Sequence, residues 1–278
     1  MRNRSVKMSL AEFHRLPFNF VWIQEYIHGC LVESPRHVLV HTTVPVERRK
    51  AVSPVPLRPA TDRDERALQP CFRAAFAGTA EFCDYTKQRL TEAAREHLHR
   101  FFNGPSPRVL PASIVALEPA GTQGSGKLIG AALVLAGEEA WALLDMLFIA
   151  PPRQRQGLAT AMTAAALNAL HEMGGCRTLV SRYHLGNEAS AAWHHRFGFV
   201  DEPDLRVAQL RLRAVQRELY RLEDLGVLTP PLENQLTRER GRWQRELDRL
   251  KAALNAGHDE EVWPWLKWKR KNATLKKS

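Results

Sequence analysis

The sequence lacks the features that define several broad classes of protein. Of its 278 residues, 44% are hydrophobic and 25% are charged, so the bias of disordered or collagen-like chains is absent. The longest apolar stretches, around residues 128–137 and 140–150, are shorter than the roughly 20 residues that cross a bilayer. Asp145 also interrupts the second stretch. We therefore expect a globular protein with no transmembrane helix and no membrane partner.

Cysteine is scarce and irregularly spaced. The four cysteines lack the paired spacing of a zinc site or a disulfide framework, so we expect free thiols in a reducing compartment and no metal. Residues 5–17 contain charged side chains and a proline where a signal peptide would have an apolar core. Together these observations predict a cytoplasmic protein. The cysteines are Cys30, Cys71, Cys83 and Cys176.

Acidic residues are absent from the last part of the chain, from residue 262 onward, while the whole chain has a net charge of +10. A basic surplus attracts phosphate groups, although solvated tails explain it more simply. Trp263, Trp265 and Trp268 alternate with lysines and an arginine, a pattern that suits single-stranded nucleic acid. We favour docking of this aromatic segment on the protein's own surface.

The pattern of hydrophobic residues divides the chain into four segments. Residues 1–54 contain two runs typical of strands, 20–27 and 37–46, which predict a β-rich extension with a hairpin and a linker. Residues 55–204 alternate helical and strand patterns, which predicts an α/β (α+β) domain. Residues 205–257 have leucines at helical spacing in two runs, the first ending at Gly226 and the second beginning at Thr229-Pro230, and predict an αα-hairpin. Residues 258–278 form a basic tail rich in Trp and Lys.

Within the second segment the patterns predict individual elements. A Gly-rich loop, 121–126, separates two of the strands. The helices are expected at 61–76, 86–102, 157–173 and 187–197, and the strands at 113–117, 128–136, 141–149 and 178–183.

The most informative stretch is 143–160, where an apolar strand leads through two prolines into a Gly-containing loop and then an Ala-rich helix. Free N–H groups at a helix N-terminus bind anions such as pyrophosphate. The stretch lacks the Gly-Lys-Ser/Thr of a Walker A loop and the three glycines of the dinucleotide fingerprint. It therefore predicts an anion-binding loop of another kind.

Three motifs in this order resemble the GNAT (GCN5-related) family of N-acetyltransferases. Residues 154–159 match the family's acetyl-CoA loop, Gln/Arg-x-x-Gly-x-Gly/Ala. Residues 187–199 resemble its second motif, in which an Asn opens a helix that ends in Gly-Phe. Residues 57–62 resemble the junction of its first strand and helix. The resemblance covers about residues 55–200 and implies a GNAT-type mixed β-sheet flanked by helices.

The resemblance also implies an acyltransferase that moves an acetyl group from acetyl-CoA to a primary amine by direct attack, without a metal. The strand before the loop would pair with the pantetheine arm, and the loop amides would hold the pyrophosphate. The residues expected to bind acetyl-CoA are Leu147, Phe148, Ile149, Gln154, Arg155, Gln156, Gly157, Leu158, Ala159, Thr160 and Asn187.

Three residues are candidates for proton transfer. His194 stands where the family has a Tyr that protonates the CoA thiolate, and an imidazole can do the same near neutral pH; it can equally belong to an ordinary helix face. Asp145 is the acid in the strand before the loop and a candidate general base, with a structural carboxylate or a water relay as alternatives. Tyr183 is a second candidate acid or a core aromatic residue.

The sequence leaves the acceptor amine, the oligomeric state and the family's closing strands open. Residues from Leu205 onward have a helical pattern where the family has strands. The helical hairpin can cover the core or pair with a second copy to form a homodimer. The alternative function is a nucleic-acid-associated binding protein that uses a GNAT scaffold with basic flanks, for which steeply salt-dependent binding to RNA or DNA would be the sign.

Overall fold

The computed structural model describes residues 4–119, 126–137 and 140–267. The predicted loop at 121–126 therefore lies outside the described residues except for Gly126, as does the tail beyond Lys267. In the described part of the chain, no helix is both long enough and apolar enough to span a membrane.

The N-terminal segment forms a small antiparallel sheet with strand order β1-β3-β2. A tight turn at His28 and Gly29, whose φ angles are 48° and 78°, joins β2 to β3, as expected for a two-residue hairpin. The predicted hairpin is confirmed, but its second strand is β3, not the run at 37–46. The elements are β1 (Arg4–Lys7), α1 (Leu10–His14), β2 (Trp22–Ile27) and β3 (Cys30–Pro35).

A seven-stranded mixed sheet has the order β10-β4-β9-β8-β7-β6-β5. The strands from β5 to β8 pair antiparallel, and β8 pairs with β9 in parallel. This confirms the mixed sheet predicted for the domain. The strands are β4 (Leu39–Pro45), β5 (Leu57–Pro59), β6 (Ile114–Leu117), β7 (Leu128–Ala136), β8 (Trp141–Ile149), β9 (Thr178–His184) and β10 (Val200–Glu202).

The residues after Gly198-Phe199 form the short strand β10 before the chain becomes helical. Whether the family's closing strands are present stays open, since among the described residues this short strand alone lies between Gly198-Phe199 and the helix that begins at Leu205. The strand between β10 and β9 is β4, which comes from the N-terminal segment.

Helices cover both faces of the large sheet, and each face has its own apolar core. One core includes Leu158, Met162 and Leu167 of α4, and the other includes Phe72 of α2 and Leu98 of α3. The helices of this part of the chain are α2 (Asp64–Phe76), α3 (Lys87–Asn103), α4 (Leu158–Met173) and α5 (Glu188–Phe197).

The C-terminal helices form the predicted helical hairpin. Helix α6 (Leu205–Asp224) packs on α7 (Pro230–Asn255) through leucines and other apolar side chains at helical spacing. Asp204 caps α6 by accepting a hydrogen bond from the backbone of Val207 at 2.7 Å. A short helix, α8 (Asp259–Val262), follows.

Internal contacts divide the described chain into two units. The first unit contains residues 4–41, 183–192 and 201–267, and the second contains the described part of 42–182 together with 193–200. The four-segment division proposed from the sequence stays a prediction.

Candidate active site

In the second unit, β8 and β9 pair over only a short part of their length. The register joins Trp141 to Thr178, Ala142 to Leu179 and Leu143 to Val180, and ends there. Strand β8 continues to Ile149. Beyond Leu143, the edge of β8 that faced β9 therefore presents backbone N–H and C=O groups, which an extended ligand carrying amides can use.

A β-bulge lies just beyond the last of these pairs, at Asp145. Leu133 of β7 faces Met146, whereas the next residue, Val134, faces Leu144, so Asp145 has no opposing residue on β7. Bulges of this kind redirect a side chain and are common beside active sites. The Asp145 side chain is 23% exposed.

The carboxylate of Asp145 is held from the neighbouring strand. Arg182 of β9 donates a hydrogen bond from Nη2 to Oδ1 of Asp145 over 3.2 Å. The only acid of β8 thus lies where β8 and β9 separate, with a guanidinium beside it.

The loop after β8 is shaped by its own glutamines. Gln154 donates from Nε2 to the carbonyl of Ile149 at 3.0 Å, and Gln156 donates to the carbonyl of Pro152 at 3.0 Å. Gly157 ends the loop at φ 80°, a left-handed conformation that glycine adopts without strain. These bonds close a tight turn directly before α4.

The first turn of α4 provides backbone N–H groups without a capping side chain. Gly157 occupies the N-cap position and offers no side-chain hydrogen bond, and the first N–H groups of a helix have no helical partner. The loop is exposed. The side chain of Arg155 is exposed to solvent, whereas Arg153 forms an ion pair with Glu118. Uncapped N–H groups of this kind, together with the helix dipole, can bind an anion.

His194 lies on α5 and is almost completely buried, with 3% of its surface exposed. Its Nε2 is 2.9 Å from Oγ of Ser181, and its ring packs 4.7 Å from that of Trp193 and 5.0 Å from that of Phe199 between centroids. Ser181 directly follows Val180, the last residue of β9 that pairs with β8. The imidazole is therefore held against β9 at the point where the two strands separate.

A protein-family model adds independent evidence for this part of the chain. The model described as the acetyltransferase (GNAT) family matches residues 77–199. Residues 77–199 form a GNAT acetyltransferase domain. The match includes β8, the loop at 154–157, α4 and α5, and it confirms the resemblance found in the sequence.

Solved structures similar to the chain include other GNAT proteins. A GCN5-related N-acetyltransferase from Sphaerobacter thermophilus has 14% identity and a TM-score of 0.42, covering 60% of this chain and 49% of that one. A tandem GNAT protein from the clavulanic acid biosynthesis pathway has 19% identity and a TM-score of 0.42, covering 60% and 51%. The PaiA N-acetyltransferase of Thermoplasma acidophilum, in complex with coenzyme A, has 16% identity and a TM-score of 0.40, covering 55% and 94%.

The chain thus spans about half the length of the first two of these structures. No curated protein sequence matches it.

Within the GNAT domain, the structure places most of the predicted acetyl-CoA residues together. Leu147, Phe148 and Ile149 lie on β8 beyond the last pair with β9, with Leu147 half-buried and the other two buried. The residues from 154 to 160 follow in the loop and the first turn of α4, and all of them belong to the second unit along with Asp145 and His194.

Two predicted residues of the GNAT domain, Tyr183 and Asn187, belong to the first unit. The buried Tyr183 hydroxyl donates a 2.7 Å hydrogen bond to Oδ2 of Asp201. Burial, together with that bond and the charge of Asp201, holds the pKa of Tyr183 well above its ordinary value. Asn187 caps α5, since its Oδ1 accepts from the backbone N–H of Ser190 at 3.0 Å.

The sequence did not predict two further residues of the GNAT domain that lie near the proposed catalytic residues. Ser181 lies between the apolar Leu179 and Tyr183 on the inward side of β9 and is buried. A polar residue at a position where the strand pattern expects an apolar one is the signal that could have identified it. His97 of α3 lies within electrostatic reach of Asp145. Burial and then the charge of Arg100 lower the pKa of His97, while the charge of Asp145 opposes them.

Proposed function

We propose that this protein transfers the acetyl group of acetyl-CoA to a primary amine by direct attack of the amine nitrogen on the thioester. The observation that carries the proposal is the separation of β8 from β9, followed directly by an exposed loop and the uncapped first turn of α4. Within one short stretch of chain, these two features offer partners for the amides and for the pyrophosphate of one extended ligand.

The residues present fit acetyl-CoA in their chemistry. A Cβ built on Gly157 would meet nothing within 4 Å, so the space directly at Gly157 is open. The N–H groups of Leu158, Ala159 and Thr160, with Arg155 nearby, would bind the pyrophosphate. Backbone groups of 147–149 would pair with the pantetheine arm. When bound there, acetyl-CoA supplies the activated acetyl group.

Asp145 accepts the proton that the acceptor ammonium must lose before its nitrogen can attack, either directly or through a water molecule. Its position on the bulge, at the start of the separated part of β8, supports this role. The same carboxylate attracts a cationic acceptor to the site. His97, whose pKa is lowered by burial, is a second base within electrostatic reach of Asp145.

His194 donates a proton to the departing sulfur, and Ser181 positions its ring. An imidazole can both give and regain a proton during turnover. Tyr183 stays a predicted acid. The raised pKa of Tyr183 keeps the proton on the hydroxyl, and this hydroxyl already donates a hydrogen bond to Asp201.

Isothermal titration with acetyl-CoA tests the proposal with two matched variants. Gly157→Glu places a negative charge and a side chain at the anion site. Gly175→Glu makes the same change just beyond the other end of α4, where φ is also left-handed at 77° and a Cβ would likewise meet nothing within 4 Å. Both variants carry similar backbone strain, so a difference between them reports on the site.

We expect micromolar or tighter binding by the intact protein and by Gly175→Glu, and binding by Gly157→Glu that is weaker by about tenfold or more, as for a carboxylate facing an anion site. Equal binding by the two variants would contradict the placement of the pyrophosphate. Absence of binding by the intact protein would contradict the proposed function. If the intact protein binds acetyl-CoA, thiol release in the presence of polyamines, amino acids and peptide N-termini would identify the acceptor.

A further inference from the structure

The first unit contains a large cleft of about 1250 Å³ that none of the residues proposed for acetyl transfer lines. This exceeds the roughly 300–1000 Å³ of most small-molecule sites. Its walls come from α1, the segment before and within β2, Arg36, and the helices α6 and α7. The cleft is thus built from segments far apart in the sequence.

Arginine dominates the charge of this cleft. Glu223 and Asp224 are the acids of its lining, against several guanidinium groups, and three of those groups are bound by the protein itself. Arg15 pairs with Asp224 and Arg221 with Glu218, while Arg217 donates to backbone carbonyls. The arginines of the lining are Arg15, Arg36, Arg213, Arg217, Arg221 and Arg240.

The remaining three, Arg36, Arg213 and Arg240, have no carboxylate partner among the described residues of the chain. Arg36 is the most constrained, because its Nε is buried and lacks a hydrogen-bond partner. Burial and then the charges of Arg206 and Arg213 lower the pKa of Arg36. Crowded cations of this kind are stabilised by an anion.

The lining of the cleft also includes an unsatisfied hydrogen-bond acceptor. Oε1 of Gln24 is buried without a partner, although its Nε2 donates to Glu33 at 3.1 Å. A buried polar atom left unpaired costs free energy that a ligand can recover. The ligand that fits therefore carries both an anionic group and a hydrogen-bond donor.

Aromatic rings, Phe18 and Tyr220 among them, also line the cleft. The guanidinium of Arg36 lies 5.3 Å from the centre of the Phe18 ring. Tyr220 on α6 is 79% exposed, which is unusual for a ring of this size. Exposed aromatic faces beside guanidinium groups stack the bases of nucleotides.

From this combination we propose that the cleft binds a nucleoside polyphosphate, with its phosphates at Arg36 and Arg213 and its base against Tyr220. Three uncompensated guanidinium groups match the charge of a di- or triphosphate. The ring and the unpaired Gln24 acceptor match a base that carries an amino or imino donor. This site is independent of acetyl transfer.

Isothermal titration with ATP tests the proposal, with inorganic tripolyphosphate and adenosine as the separate halves of the ligand. Arg213→Gln removes an exposed cation of the cleft, and Arg36→Gln removes the half-buried one. Arg245→Gln makes the same change on an exposed residue of α7 that does not line the cleft. Circular dichroism checks that each variant is folded. Gly157→Glu is the control that shows whether ATP binds at the loop before α4 instead of in the cleft.

We expect ATP to bind more tightly than either half, and Arg213→Gln or Arg36→Gln to weaken it about tenfold or more, as for the loss of a charge-assisted hydrogen bond. Arg245→Gln and Gly157→Glu should bind as the intact protein does. The proposal is overturned if ATP does not bind, if folded Arg213→Gln binds it unchanged, or if Gly157→Glu loses it. Equal affinity for tripolyphosphate and ATP would overturn the role of the base.

Discussion

Replacing His194 by glutamine separates proton transfer from packing. Glutamine has a similar length, and its amide can still hydrogen-bond to Ser181, which lies 2.9 Å from Nε2 in the native protein. It cannot act as a general acid at the sulfur. The substitution therefore removes the proposed chemistry while it preserves the contact that positions the side chain.

The expected effects on rate and stability differ in size. A positioned general acid contributes about 10²- to 10⁴-fold, so we expect kcat to fall by that factor, with little change in KM for acetyl-CoA. The ring also packs against Trp193 and Phe199 at 4.7 and 5.0 Å. Loss of such ring contacts lowers the free energy of unfolding by roughly 1–2 kcal/mol, which leaves a typical domain folded.

Steady-state thiol release across neutral pH, together with urea unfolding, measures both effects. Ser181→Ala is the matched variant, since it keeps the imidazole but removes its partner, and we expect a smaller fall in kcat and a shifted pH profile. A His194→Gln protein with native kcat and lowered stability would exclude a catalytic role, because His194 would then serve packing alone.

Two further predictions concern carboxylates. Asp145→Asn should lower kcat by about 10²- to 10⁴-fold with little effect on acetyl-CoA affinity, as for loss of a general base; native turnover in a thiol-release assay would rule out that role. Asp64→Asn should lower the free energy of unfolding by about 2–3 kcal/mol, because the buried carboxylate accepts two 2.7 Å hydrogen bonds from Arg58 and one of 2.8 Å from Thr61. Burial raises the pKa of Asp64, but these bonds outweigh it and leave the pKa lowered. The stabilisation by the Asp64 carboxylate is therefore full above the unfolded pKa of about 3.9, and it is lost as pH falls through the pKa of the folded protein. In urea unfolding, the free energy of unfolding of the variant should therefore approach that of the native protein in acid. A difference between the two that grows in acid would be contrary to this.

Much of the catalytic fold could be predicted from the sequence because its signals are local. The apolar run of β8, the prolines after it and the glycine before α4 lie within one stretch, 141–173, and the elements there match the prediction. The leucine spacing of α6 and α7 likewise predicted the helical hairpin. These features need no information about distant parts of the chain.

The pairing of strands could not be predicted, because it depends on distant segments. The run at 37–46 has the composition of a strand, but nothing in it indicates that β4 lies between β9 and β10. Strand β3 was missed because Cys30–Pro35 contains Glu, Ser and Pro, which are poor strand formers. The short β10 gave no pattern of its own.

In the candidate active site and the cleft, too, local features could be predicted from the sequence and contacts between distant segments could not. Asp145 could be selected as the one acid of its strand, but its position on a bulge follows from the register with β7. Ser181 contacts His194 only after β9 and α5 have packed. The arginines of the cleft come from separate segments, so no single stretch of sequence predicts that Arg36 and Arg213 share one surface.

Amide hydrogen exchange with and without acetyl-CoA shows whether acetyl-CoA binds along β8 and the loop before α4. We predict slower exchange in peptides that cover 144–149 on β8 and 154–160 in the loop and the start of α4. Peptides from α6 and α7 should exchange at the same rate in both conditions. Unchanged exchange at 144–160, or protection confined to the first unit, would contradict the account.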